Sequence, residues 1–259
     1  KSLERALQLQ PDDPEMNYQV GVIIAGIDPL RSLPYLKKAE GSTSVGQLAQ
    51  YLGDSLQTIF GLEIESDRFF QTGQLLAGVE EWESAINAFQ KAVDLEPKAP
   101  LHWALLGEAQ QQVGMDGYPA LQKAWQLSPE DEIVNGLLGI YYRRQGKLDL
   151  ALHYLNSAIA LNPNSINWEV EMGNLLADEG ELDAALAHYQ SAVRKDQQKW
   201  SSWRDLAVFC IKHNYKVNEV AIPAVREALL LNPASPALLD LMGTAFMMIN
   251  ELESAERFF

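Results

Sequence analysis

Prolines that return on a fixed period constrain this chain more than any other feature. Leu95-Glu96-Pro97 is followed by Leu127-Ser128-Pro129, Leu161-Asn162-Pro163 and Leu231-Asn232-Pro233, at intervals of 32, 34 and 70 residues. A second register runs in phase with the first: Gly73, Gly107, Gly139, Gly173 and Gly243, with Ala207 in the remaining slot. Proline stops a helix, and a small residue lets two helices approach closely, so each period reads as a helical unit with its own boundary. Such a unit cannot bury its apolar face alone and must stack on its neighbours.

Within a period the apolar spacing predicts two antiparallel helices. Leu137, Leu138, Tyr141 and Tyr142 form one helical stripe, Gly146 closes it, and Leu148, Ala151, Leu152, Leu155 and Ala158 begin a second. The boundaries read as 66–99, 100–131, 132–165, 166–199, 200–235 and a truncated 236–259. A deletion near Met115–Tyr118 and an insertion near Tyr215–Glu219 both fall at hairpins, where a change of length disturbs little packing. Gln197 stands in a terminal proline position, so the second helix of that unit is expected to run on.

A unit of about 34 residues with a small residue in its first half, an alanine twelve residues later and a terminal proline resembles the tetratricopeptide repeat. Trp103-Ala104-Leu105-Leu106-Gly107 and Leu138-Gly139-Ile140-Tyr141-Tyr142 carry the first half of the pattern. Ala151-Leu152-His153-Tyr154-Leu155 and Ala185-Leu186-Ala187-His188-Tyr189 carry the second. The resemblance covers residues 66–259 and implies an all-α, right-handed α-solenoid (superhelix) of antiparallel helix pairs. Residues 1–65 fit less well. They read as the end of a preceding repeat up to Pro11, a divergent repeat, and an inserted helix over Gly46–Phe60 carrying Leu48, Leu52, Leu56 and Ile59. Both ends fall mid-unit, so a fragment of a longer protein is expected. Uncovered Phe246, Phe258 and Phe259 would then favour end-to-end self-association.

Composition narrows the partners. With 35 acidic against 20 basic side chains the net charge is −15, which disfavours nucleic acid and acidic membrane surfaces. The longest apolar stretch, Val20–Ile27, is too short to span a bilayer. A single cysteine, Cys210, excludes an intrachain disulfide and marks no oxidising compartment, and a cytoplasmic setting is favoured. The chain holds no phosphate-binding glycine loop, His-Glu-x-x-His pair, Cys-x-x-Cys or Gly-x-Ser-x-Gly elbow, so neither enzymatic activity nor a cofactor is expected. Scattered histidines predict no metal site, which needs three or four converging ligands.

One stripe remains. At 100° per residue, the positions three before and one, four and five after the small residue point away from the core. In the family this stripe lines the concave surface where peptides lie, which implies a peptide-binding set of Phe70, Gln74, Gln111, Arg143, Arg144, Asn174, Asp178, Arg204 and Lys212. The Gly173-Asn174 pair resembles that of peptide-binding members, whose asparagine amide bonds a ligand's backbone or carboxylate. It occurs once, so a chaperone-type carboxylate clamp is not expected. Four cations, Arg143, Arg144, Arg204 and Lys212, point to an acidic peptide. Against this, Arg144, Asp178 and Lys212 share one slot and would form a charge ladder, with Arg204 facing Asp240 and Arg143 least explained by the pairing. The function implied is a non-catalytic scaffold that binds a protein or peptide segment. The alternative is a sensor or substrate-docking region of a larger enzyme such as a glycosyltransferase, kinase or cyclase.

Overall fold

The structure, a computed structural model, describes residues 10–258, and every regular element among them is helical. The chain divides into two compact units, residues 1–137 and 138–259, the division falling inside a helix. Expectations for Lys1–Leu9 and Phe259 lie outside the described residues.

The first unit holds α1 (Pro14–Ala25), α2 (Pro29–Ala39), α3 (Gly46–Phe60), α4 (Glu65–Gly78), α5 (Trp82–Leu95), α6 (Pro100–Gln112), α7 (Tyr118–Leu127) and the start of α8 (Glu132–Arg144). Prolines open α1, α2 and α6, where the missing N–H is no loss. Asp13 caps α1 by accepting from Met16 N at 2.8 Å. The core runs through Leu36, Leu52, Leu56, Leu76, Phe89 and Leu106, all essentially inaccessible. Each buried leucine contributes roughly 1.5–3 kcal/mol.

The second unit holds the rest of α8, then α9 (Leu148–Leu161), α10 (Ile166–Asp178), α11 (Leu182–Lys195) and α12 (Trp200–Lys212). It continues with α13 (Ile222–Leu231), α14 (Pro236–Met248) and α15 (Leu252–Ala255). Leu186, Tyr189, Leu206, Phe209, Val225 and Met242 form its core. The insertion seen in the sequence becomes a single π-helical turn, Val217–Ala221, leading into α13.

Three local devices shape both units. At each hairpin from α4 onward one residue takes the left-handed conformation: Glu80, Gly114, Gly146, Gly180, Asn214 and Asn250, with φ of 63, 76, 65, 82, 46 and 62°. The following N–H reaches back to a carbonyl five residues earlier at 2.8–2.9 Å, as in Met115 N to Gln110 O and Lys147 N to Tyr142 O. This is the Schellman closure that satisfies the last carbonyls of a helix. The small residues bring the paired helices together. A Cβ at Gly73, Gly107, Gly139 or Gly173 would stand 2.6–2.9 Å from Phe89, Leu121, Leu155 or Tyr189.

The third device works at the joints between pairs. Four residues before the small position, Asn17, Trp103, Asn135 and Trp203 each donate a side-chain N–H to a carbonyl six residues back. The acceptors are Pro11, Pro97, Pro129 and Gln197, at 3.0, 2.9, 2.8 and 3.0 Å. The Gln197 joint corrects one expectation: α11 ends at Lys195 as its counterparts do, without the proline. Asp196 is already extended, and Trp203 takes the Gln197 carbonyl that a longer helix would use. At the far end, Phe246 and Phe258 stack at 5.7 Å and are half-buried, so they cover one another instead of lying bare.

Candidate functional site

The second unit carries a recess of about 220 Å³ between α10 and α12, lined by Val170, Asn174, Asp178, Asp205, Val208, Lys212 and His213. Asn174 is its most constrained polar group. Gly173 leaves space for the Tyr189 ring, and the Tyr189 hydroxyl donates to Asn174 Oδ1 at 2.6 Å. That bond takes the amide oxygen and leaves the Nδ2 donors for another acceptor. Tyr189 is itself fixed, buried and stacked on Phe209 at 4.7 Å. Burial, with the charges of Glu171 and Asp205, raises its phenol above the ordinary range.

The charges pair differently from the expected ladder. Arg143, not Arg144, meets Asp178, with Nη1 2.9 Å from Oδ2, while its Nη2 lies 3.3 Å from Glu171. Arg204 turns away from Asp240, grips Asp205 through Nε and Nη2 at 3.0 and 2.8 Å, and lies over the Trp200 ring. Both arginines are thus engaged within the protein. The offset has a geometric cause. Packed helices cross at an angle of about 20° instead of lying parallel, so a long side chain meets the neighbouring slot on the next helix. With Asp178 and Asp205 paired, the exposed Lys212 ammonium, which makes no ion pair among the described residues, is the charge left in the recess.

Asn174, Asp178 and Lys212 are therefore together, with Arg143 behind Asp178. Arg144 is exposed on the last turn of α8. In the first unit Gln74 is exposed on α4, and Gln111 donates to Glu108 at 3.3 Å. Phe70 departs from its expected place: it packs on the core, 4.5 Å from the His102 ring and 5.9 Å from Phe89. Its ring is long enough to cross from the groove side of the helix. Exposed Val208 and Met247 continue the stripe as apolar surface.

Sequence reasoning missed Asp205, His213 and the Tyr189 support, and also a buried ionic cluster. Glu169, 7% exposed, accepts from Lys195 Nζ at 2.6 Å and lies 2.7 Å from His188 Nδ1. Burial alone would raise its carboxyl, but bonds from Lys195, His188 and Ser191 outweigh this and hold it below the ordinary value of 4.5. Burial pushes the Cys210 thiol up to about 12, the behaviour of an inert core residue.

Helix pairs, Schellman hairpins and close small-residue contacts define an all-α solenoid of the protein-interaction scaffold type. The profile of the tetratricopeptide repeat matches residues 70–112, 136–199 and 170–214. The chain belongs to the tetratricopeptide-repeat family. Among solved structures it is similar to TTC0263, a tetratricopeptide protein of Thermus thermophilus, at 20% identity and a TM-score of 0.63, covering 70% of this chain and 99% of that one. It is also similar to PilW, a type IV pilus biogenesis factor, at 15% identity and a TM-score of 0.63, over 76% and 91%. The Cut9–Hcn1 hetero-tetramer of the APC/C supplies a third likeness, at 15% identity and a TM-score of 0.60, over 96% of this chain and 54% of that one. A search of curated proteins by sequence finds no match.

Proposed function

We propose that the protein is a non-catalytic scaffold that holds an extended segment of a partner protein in the recess between α10 and α12. The observation that carries this reading is the pairing of an oriented amide with an uncompensated ammonium. Tyr189 turns Asn174 so that Nδ2 can donate to a peptide carbonyl, and Lys212 stands free to receive a carboxylate. Val208 offers apolar contact beside them. The ligand is thus a peptide with an acidic side chain or terminus, attracted by Lys212. Arg143 and Arg204, already engaged, hold the wall of the recess.

Affinity capture from cell extract with wild type, Asn174→Ala and Lys212→Glu in parallel tests this. A partner retained by the wild type is expected to bind about 3–10-fold more weakly to Asn174→Ala, the value of one hydrogen bond. Loss should be larger in Lys212→Glu and should be mimicked by added salt, with helicity unchanged. Equal retention by all three proteins would refute the assignment.

A further inference from the structure

Apart from the recess, the first unit brings together three side chains from two separate stretches of the sequence, Asp67 from one and Glu96 and His102 from the other. Asp67 lies in the first turn of α4, Glu96 at the end of α5, and His102 in the first turn of α6. One carboxylate oxygen from each acid and one ring nitrogen of His102 all lie within 4.8 Å of one another. His102 is 5% exposed, and its Nδ1 is buried with no hydrogen-bond partner. A buried polar atom without a partner is costly, so this imidazole is a donor set waiting for an acceptor of electron pairs.

We propose that Asp67, Glu96 and His102 bind a divalent transition-metal ion, zinc fitting best. The ligand chemistry decides the class. Magnesium and calcium take oxygen ligands, whereas an imidazole nitrogen with two carboxylates suits zinc. Zinc holds such donors at about 2.0–2.2 Å in a tetrahedron, which puts any two about 3.3–3.6 Å apart, so atoms within 4.8 Å of one another close by about 1.2–1.5 Å at the widest. Glu96 is exposed and can make that movement, guided by Ser66 Oγ, which donates to its Oε2 at 3.2 Å. The Phe70 ring, 4.5 Å from the imidazole, fixes the histidine. An ion here also removes the repulsion between two neighbouring carboxylates. With three protein ligands, the fourth position falls to water. Because the ligands come from α4, from the C-cap of α5 and from α6, binding ties three helices of the first unit together.

The test is calorimetric titration of the chelator-treated chain with zinc chloride, alongside thermal unfolding. Wild type should take up one zinc per chain and unfold at higher temperature as zinc rises. Asp67→Asn and Glu96→Gln, near the surface, should each weaken binding about tenfold or more while leaving the metal-free unfolding temperature unchanged. Magnesium at the same concentration should produce no shift. No saturable zinc binding by wild type, or unchanged affinity in both variants, would overturn the proposal. Equal stabilisation by magnesium would do so too, because the histidine would then have no role as ligand.

Discussion

Replacing Gly173 by alanine sets two effects of known sign against each other. In an open helical position the added methyl stabilises by about 1 kcal/mol, because glycine gives up more backbone freedom on folding. At Gly173 the new Cβ would sit 2.9 and 3.0 Å from Cε2 and Cδ2 of Tyr189, where ordinary contact begins at 3.4 Å. The ring must retreat by about half an ångström or more. It cannot do so freely, being 4% exposed and stacked on Phe209. Overpacking of this kind costs about 1–3 kcal/mol. Strain on the Tyr189–Asn174 bond adds about 1 kcal/mol, the net worth of a hydrogen bond. The sum, less the helix gain, is a destabilisation of about 1–3 kcal/mol. Gly53, inside α3 with no atom within 4 Å of an added methyl, is the matched control, and Gly53→Ala should stabilise by about 0.5–1 kcal/mol. Urea unfolding followed by circular dichroism measures both. If Gly173→Ala is as stable as wild type, the contact is not tight and the reasoning fails.

Glu80 adopts the left-handed conformation that glycine takes at the three following hairpins. Glu80→Gly should therefore raise stability by about 0.5–1 kcal/mol in thermal unfolding, since relief of the left-handed strain exceeds the entropy glycine loses. Because the Glu169 carboxyl is held below 4.5 when folded, its contribution is present above that value and is lost as pH falls through the folded-state value. Acid unfolding should consequently be less steep below about pH 4.5 in Glu169→Gln, and matching pH profiles would contradict the depressed carboxyl.

The helices and their close contacts were legible because they rest on local rules. Leu48, Leu52, Leu56 and Ile59 show helical spacing, and α3 spans the segment that contains them. Gly107, Gly139 and Gly173 recur in register because a larger group would collide with the opposite helix. Charge partners follow no such rule. Slot matching linked Arg144 to Asp178, but crossing helices and a long guanidinium made Arg143 the partner. Phe70 misled for a related reason: angular position describes where a side chain starts, and a phenyl ring ends several ångströms away. The Asp67, Glu96 and His102 cluster left no trace in the sequence, since its members come from two helices and the cap of a third and match no contiguous motif. Tyr189 was visible only as an aromatic on a second helix, and its hold on Asn174 depends on the glycine opposite.

The side-chain staples at the joints differ in the distance along the chain from which each joint is held. Asn17, Trp103, Asn135 and Trp203 reach only six residues back, so these corners can close as soon as their own segment is made. The corner after Pro163 has Glu169 in that slot, which has no N–H to give. There Lys195, 30 residues on, donates to the Ser165 carbonyl while it neutralises Glu169. That corner keeps its local bonds, Ser165 N to Asn162 O and Trp168 N to Ser165 Oγ, but takes the Lys195 staple from a later helix. The Lys195 staple forms only once α11 has docked and is lost whenever α11 lets go, so fraying of that helix is transmitted directly to the turn before the preceding one.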